Sequence, residues 1–394
     1  MRILLTTESY LPYLSGVTVS VDTLARGLGA LGHEVLVLAP RPARGAKVVD
    51  VGSPGPAPRH AWLGSYQTPR IAPPAYRMPW PNPVAPAVRE AIAFEPDVVH
   101  PHSPFVTGVL ARRIARRVGA PLVFSHHTRF TDYVHYLGPL AWAAGRLTDA
   151  YLRRFWGTCR AVIAPSEDLA VEIRARMPAL RVEAIPTGID VRAMRELVPV
   201  DPRGHAGWDT DTVVAVSLGR LAAEKSPLTL LDAVALALRT DERLGLVLIG
   251  GGAAEAPLRK RAAQPDLAGR VLITGALPRP DALALMAGAD LFAFASRTET
   301  QGLVLAEALA AGLPVVAVDG PGVRDSVRDG IDGRVVAADP VADRAARLAE
   351  AILGLAADIA ERGRLAERAR ADAERFDVRT RVAQVDALYR SLLA

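Results

Sequence analysis

Cysteine is nearly absent: Cys159 is the only one in 394 residues. That excludes an internal disulfide framework and makes a reducing, cytoplasmic setting the expectation. Lysine is almost as scarce, limited to Lys47, Lys225 and Lys260. Positive charge is therefore carried by arginine, and each lysine stands out. Aromatic residues form 5% of the chain. No uninterrupted apolar run reaches the ~18 residues that a membrane-crossing helix needs. The first eight residues, Met1 to Glu8, meet charge too soon for a secretory signal and read as a buried strand. No repeat of solenoid period is present.

Half of the chain is hydrophobic and glycine and proline are frequent, which fits a globular α/β protein. Its length implies two domains. Apolar strand-like runs alternate with helical stretches. In the first half they fall at Ile3–Thr6, Glu34–Ala39, Lys47–Val51, Asp97–His100, Pro121–Ser125, Ala161–Ala164 and Val182–Ile185. In the second they fall at Val213–Leu218, Leu244–Ile249, Arg270–Thr274, Leu291–Ala295, Pro314–Val318 and Arg334–Val336. This alternation predicts two doubly wound parallel sheets. Such sheets bind ligands beyond their strands' carboxyl ends, so two facing sheets would share a cleft. The polar stretch between Gly188 and Asp211 holds the boundary. The expected domains are 1–195 and 196–375, with 376–394 as a final helical segment. Residues 54–86 contain ten prolines and read as a stiff irregular segment, either a long ordered loop or the lining of an acceptor site. Residues 1–195 hold 23 Arg and Lys against 14 Asp and Glu, whereas the remainder holds 24 against 28. A basic first half suits an anionic partner.

The densest chemical signal is Ser296 to Ala317. Glu299 and Glu307 stand eight positions apart, flanking Gly302 and an apolar helical run, Leu303–Ala311. Gly312 closes that helix and Pro314 begins a strand. The free N–H groups at 302–304 form an anion site between two carboxylates. That arrangement suits a diphosphate flanked by hydroxyl-rich sugars. The alternative is a surface loop and a half-buried helix with one exposed Glu. Upstream, Gly219-Arg220-Leu221 and Glu224-Lys225 place a guanidinium fork and an ammonium just past a strand, apt for phosphate. The alternative there is a salt bridge from Glu224 to Arg220 or Lys225.

The Glu-x7-Glu spacing followed by Ala-Gly-x-Pro-Val, with Gly-Arg-Leu-x-x-Glu-Lys before it, resembles the retaining glycosyltransferases of family 4. The resemblance implies the GT-B fold: two Rossmann-like domains facing a cleft, with a C-terminal helix crossing back to the first. The tryptophan that the family places after Phe376-Asp377 is missing here. In such enzymes the first Glu contacts the donor sugar and the second the nucleotide ribose, roles that fall on Glu299 and Glu307. His127 aligns with the family's catalytic-site histidine. The implied donor-binding set is Gly16, Arg220, Lys225, Thr274, Ala276, Leu277, Thr300, Gln301, Gly302, Leu303 and Glu307. No metal and no cofactor is implied, the nucleotide diphosphate sugar being a co-substrate. The tract from His127-Thr128 through Phe130, Tyr133 and Tyr136 resembles the synthases that glucosylate diacylglycerol. UDP-glucose is thus favoured over a GDP-sugar, with a lipid acceptor. A GDP-mannose enzyme acting on lipid or polysaccharide is the alternative, and a non-catalytic nucleotide-sugar-binding protein is another of a different class.

Two charge patterns complete the reading. Arg112, Arg113, Arg116 and Arg117 share one helical face, with Val109, Leu110 and Ile114 roughly opposite. Arg153 and Arg154 lie beside Trp142, Tyr151, Phe155 and Trp156. Basic residues next to aromatics suit anionic lipid, whereas a plain solvated helix face is the alternative. With Trp156, these arginines make a membrane-surface set, and the expected location is cytoplasmic, peripheral on the inner face of the cell membrane. Nucleic acid is disfavoured because no recognition motif accompanies the charge. His100, His102, His126 and His127 lack acidic or Cys neighbours, which argues against a metal centre. Asp209-Thr-Asp211 reads as a solvated turn.

Overall fold

The computed structural model of the protein describes residues 1–46, 52–67, 76–129 and 141–394. The chain divides into two compact units. One comprises Met1–Ile189 and Asp377–Ala394, the other Asp190–Phe376. The run at Lys47–Val51 and the Phe130, Tyr133 and Tyr136 positions lie outside the described residues.

In the first unit a parallel sheet runs β3 (Arg59–Leu63), β2 (Glu34–Pro40), β1 (Arg2–Thr6), β6 (Val98–Pro101). A single bridge from Val99 to Leu122 continues it toward β7 (Val123–Ser125), β8 (Ala161–Ala164) and β9 (Val182–Ala184). β1, β2, β6, β7 and β8 are buried on both faces, which is why they read as unbroken apolar runs. The proline-rich segment is less irregular than its sequence suggests. Arg59–Leu63 pairs in register with β2, and β4 (Ser65–Gln67) and β5 (Arg77–Pro79) form an antiparallel ribbon. Among the described prolines of this segment, Pro79 ends β5 and the others stand outside the ladders, where proline is tolerated.

The C-terminal helix, Val378–Leu393, belongs to this first unit and contributes Val378, Val382, Val385, Leu388 and Tyr389 to its core. The Tyr389 hydroxyl lies 2.5 Å from His100 Nδ1, and Asp386 lies 2.8 Å from His33. These polar contacts and aliphatic packing hold the helix without the tryptophan that is missing after Phe376-Asp377.

The second unit has β10 (Val213–Leu218), β11 (Leu244–Ile249), β12 (Val271–Gly275), β13 (Leu291–Phe294), β14 (Val315–Val318) and β15 (Gly333–Val336). They are all parallel, in the order β12-β11-β10-β13-β14-β15. That is the doubly wound Rossmann order, whose switch point lies between β10 and β13. Asp209-Thr-Asp211 is an exposed turn in this unit, leading into β10.

Candidate active site

The loops leaving β10 and β13 meet at the switch point. The β10 loop carries Arg220, and its backbone is pinned from below. Gly250 (φ 140°) and Gly252 (φ 157°) take backbone angles that side chains disfavour. A Cβ on Gly250 would stand 1.9 Å from the Gly219 carbonyl oxygen, and one on Gly252 2.3 Å from that of Leu221. The Leu221 N–H donates to the Gly251 carbonyl at 3.0 Å, and the Ala254 N–H to the Leu221 carbonyl at 2.9 Å. Arg220 itself is half exposed, with Nη2 2.6 Å from Glu224 Oε1. Lys225 ends a short 3-10 turn, and its Nζ lies 2.6 Å from Glu299 Oε1. The two loops are thus joined by an ion pair. The Thr298 hydroxyl adds a second link, donating to the Glu224 carbonyl at 3.2 Å.

Past Glu299, Thr300 is half-buried and Gln301 buried. Gly302 (φ 72°) turns the chain into the helix Leu303–Ala311, which Gly312 (φ 85°) ends. The Leu305 N–H donates to the Gly302 carbonyl, so the N–H groups of Leu303 and Val304 have no partner within the helix. Their partial positive charge sits beside the Lys225–Glu299 pair in sequence and on the same strand end. The loop is braced from behind. The Gly322 N–H donates to the Glu299 carbonyl (3.2 Å) and the Ser326 hydroxyl to the Gln301 carbonyl (3.1 Å). A Cβ on Gly322 would lie 2.8 Å from the Gln301 carbonyl carbon and 2.9 Å from Glu299 Cβ.

Glu307 is not the exposed side chain that a half-buried helix would show. It is 3% exposed and its carboxylate is ion-paired with Arg279. Arg279 opens the helix that follows Thr274 to Leu277. In that turn Gly275 (φ 73°) accepts from the Gly250 N–H at 3.0 Å, and Ala276 is exposed. Sequence reasoning missed Arg279 and Gly322. Their signals, an Arg just past the Thr274–Leu277 turn and a Gly-Pro-Gly after β14, mean little until the pairings are seen.

In the first unit Gly16 is the first residue of the helix Gly16–Ala30, capped by Ser15, whose hydroxyl accepts from the Thr18 N–H. Glu8 in the preceding loop is buried, accepts from the Thr107 N–H at 3.1 Å, and has its carboxyl pushed up by burial. Three imidazoles lie in a row at the ends of β6 and β7. His100 stacks on His102 (4.3 Å between ring centres) and His102 on His127 (5.1 Å). His102 Nδ1 is 2.8 Å from His127 Nε2. Burial lowers all three, His100 to about 3 and His127 to about 4. His126 turns the other way, against the Phe124 and Trp156 rings, and burial lowers it to about 3. Among the described residues no group of acidic, His or Cys side chains is arranged to hold a metal ion.

The membrane-surface set is only partly at the surface. Arg113, Arg116 and Arg117 are exposed and Arg112 is half-buried on the helix Val106–Val118. Leu110 and Ile114 are buried beneath them, but Val109 is 43% exposed, so the apolar face is narrower than its spacing suggested. Arg154 is exposed, and Arg153 is exposed but pairs with Asp149 at 2.8 Å. Trp156 does not belong to the set: it is 1% exposed, packed in the core with Phe155. The helix Ala141–Trp156 turns its last aromatics inward, and only its start is amphipathic at the surface. There Trp142 is 72% exposed, with the Arg146 guanidinium 5.0 Å over its ring, and Leu147 is also exposed. Among the described residues no helix is long and apolar enough to cross a membrane.

A Rossmann unit whose switch point gathers a lysine, a carboxylate and a helix start has the layout in which α/β proteins of this fold bind their ligands. The chain matches two family profiles, "Glycosyltransferase Family 4" over residues 14–193 and "Glycosyl transferases group 1" over residues 203–372. It is 29% identical over 326 residues to the alpha-monoglucosyldiacylglycerol synthase of Acholeplasma laidlawii, covering 80% of each chain. It is 32% identical over 333 residues to the GDP-mannose-dependent alpha-mannosyltransferase of Mycolicibacterium smegmatis, covering 83% of this chain and 82% of that one. Among solved structures, Anabaena Alr3699/HepE in complex with UDP superposes with a TM-score of 0.74 at 22% identity, over 99% of this chain and all of the other. The chain belongs to glycosyltransferase family 4, with the GT-B architecture of two Rossmann-like units and a C-terminal helix returned to the first.

Proposed function

We propose that this glycosyltransferase moves a hexose, with retention, from a UDP-glucose-type donor to a membrane lipid such as diacylglycerol. The observation that carries the donor half is the Lys225–Glu299 contact, which joins the β10 and β13 loops beside the Gly302 helix start. When the diphosphate departs, negative charge grows on the leaving oxygen and positive charge on the anomeric carbon. Arg220, Lys225 and the N–H groups at Gly302–Leu303 answer the first charge, in fixed positions that need no reorganisation. Glu299 orients the sugar hydroxyls and faces the cationic carbon. Glu307, steadied by Arg279, holds the ribose, and Thr274, Ala276 and Leu277 meet the base through their backbone. Thr300 and Gln301 complete the donor loop, and Gly16 and His127 are the first unit's members of the proposed set. No resident cofactor or metal takes part in this scheme.

The acceptor half rests on likeness to diacylglycerol-glucosylating relatives and on the surface of the first unit. Arg112, Arg113, Arg116, Arg117 and Arg154 supply charge for anionic headgroups, and Trp142 with Leu147 supplies an apolar contact. This makes the protein a peripheral enzyme on the inner face of the cell membrane. A second reading, GDP-mannose as donor, is favoured by the 32% identical mannosyltransferase.

One experiment separates the readings. UDP-glucose, UDP-galactose and GDP-mannose are each supplied with and without diacylglycerol in anionic vesicles, and hydrolysed sugar and glycolipid are read by mass spectrometry. Turnover of UDP-glucose with a hexosyl-diacylglycerol product is expected. Turnover of GDP-mannose alone would select the second reading. Soluble acceptors outcompeting every lipid would end the acceptor half. Tight donor binding without turnover would leave a binding protein.

A further inference from the structure

We propose that His102 is a positioning residue that fixes the tautomer of His127, so that His127 carries its proton on Nδ1 and meets its ligand as a hydrogen-bond donor. The inference relies on the proposed function only in giving His127 a sugar ligand. His102 is 4% exposed and stacked between two other imidazoles, at 4.3 Å from His100 and 5.1 Å from His127. Its backbone N–H donates to the Thr6 carbonyl at 2.8 Å, which sets the ring's position at the end of the central strands. His102 Nδ1 meets His127 Nε2 at 2.8 Å, and His102 Nε2 is buried with no hydrogen-bond partner. Neighbouring His100 is fully engaged, with Nδ1 on the Tyr389 hydroxyl and Nε2 on the Ser125 hydroxyl.

A neutral imidazole has one N–H and one lone pair, so the bond between the rings has two possible directions. If His127 donates from Nε2, the His102 proton must sit on its own Nε2, buried and without an acceptor. If His102 donates from Nδ1, the same buried atom is only a bare lone pair. An orphaned buried N–H is the rarer defect. The second direction therefore holds: His102 donates, His127 Nε2 accepts, and the His127 proton is left on Nδ1. Burial keeps the rings neutral, and among the described residues no acidic side chain lines the cavity of about 40 Å³ beside them, whose polar lining is Ser20, Thr23, Ser125, Thr187, the two histidines and Arg381. A His127 with Nε2 occupied and Nδ1 protonated has no free lone pair. It can orient a hydroxyl oxygen but cannot act as a base.

The tautomer is read directly by ¹⁵N-histidine NMR of the whole protein at pH 7, with His127→Asn to assign the signal. His127 protonated at Nδ1 and bare at Nε2 is expected. His102→Asn keeps an N–H close to where Nδ1 stood, His102→Gln moves it toward the Nε2 position, and His102→Leu removes it. His102→Asn should keep donor hydrolysis near the wild-type rate. His102→Gln and His102→Leu should lose about 10-fold or more, the range that orienting partners of histidines command elsewhere, and the His127 signal should become a tautomer mixture. A wild-type His127 protonated at Nε2 overturns the proposal. So do Asn and Leu variants that are equally impaired while melting as the wild type does. If no donor is turned over, the proposed function falls, and the NMR still decides the tautomer.

Discussion

Lys225 and Glu299 neutralise one another across 2.6 Å, and that sets how each behaves when substituted. Both side chains are about one quarter exposed, so the pair itself adds little stability, and its importance lies in where it puts the two charges. In the proposed scheme, removing Lys225 takes away a cation for the leaving diphosphate and leaves a carboxylate that repels it. Lys225→Ala should lower donor hydrolysis by about 10²–10³-fold, the usual cost of one such donor. Adding Glu299→Gln should restore nucleotide affinity, measured by calorimetry, but not turnover, because the repulsion goes and the catalytic charge stays missing. Arg279 poses the opposite case. Its partner Glu307 is 4% exposed, so breaking that pair strands a buried carboxylate. Such losses run to about 3–5 kcal/mol, and Arg279→Ala should fall at or below the lower end because Arg279 is 26% exposed. If Glu307 serves the ribose, donor KM should rise well before kcat falls. Equal falls in KM-independent and KM-dependent rates, with a lowered melting temperature, would instead mark Arg279 as purely structural.

At the scale of elements, what a sequence discloses depends on whether the signal is local. The helix Leu303–Ala311 was legible to the residue because glycines bound it at both ends, each in a left-handed conformation. The strands Ala161–Ala164, Val213–Leu218 and Leu244–Ile249 were likewise bounded by their own apolar runs. β3 was not, because Arg59–Leu63 owes its strand to pairing with β2 and sits amid prolines that argue locally for a loop. Trp156 was misplaced for a similar reason: the arginines beside it indicate a surface, and only the packing of Phe155 and Trp156 reveals which side faces in. The Lys225–Glu299 and Arg279–Glu307 pairs join positions 74 and 28 residues apart, so neither pairing is legible in the sequence, and Arg279 draws no notice without its partner. Gly322 belongs to the same class, and its test is direct. Gly322→Ala should push the Glu299–Gln301 loop forward and weaken donor binding, read by UDP calorimetry, with the melting temperature little changed. The basic helix offers a second test. Neutralising Arg112, Arg113, Arg116 and Arg117 to Gln should weaken binding to anionic vesicles by about 1 kcal/mol per charge. Sedimentation with vesicles at two salt concentrations checks it, while donor hydrolysis without lipid should be unaffected.

For the molecule as a whole, the two units differ most in how they respond to acid. Seven of the eight histidines belong to the first unit, and the second has only His205, exposed. His100, His102 and His126 are buried and His127 is half-buried, and desolvation holds all four neutral, His100 and His126 down to about 3 and His127 to about 4. In the unfolded chain each titrates near 6.5. Above pH 6.5 neither state binds these protons and the histidines contribute no pH dependence. As pH falls from 6.5 toward 4, the unfolded chain takes up protons that the folded unit refuses. Stability then declines by up to about 1.4 kcal/mol per pH unit for each such histidine. Trp156, 5.3 Å from His126, reports on the first unit, and Trp208 on the second. Urea unfolding followed by fluorescence, with Trp208→Phe for the first unit and Trp208 as the single remaining tryptophan for the second, separates the two. The first unit's midpoint should drop between pH 6.5 and 4.5, and the second's should stay nearly flat. His126→Leu, which removes one titrating ring, should shallow the first slope. Equal slopes for the two units would mean that the imidazole row is charged when folded, and the reading of His127 as a neutral hydrogen-bond donor would fall with it.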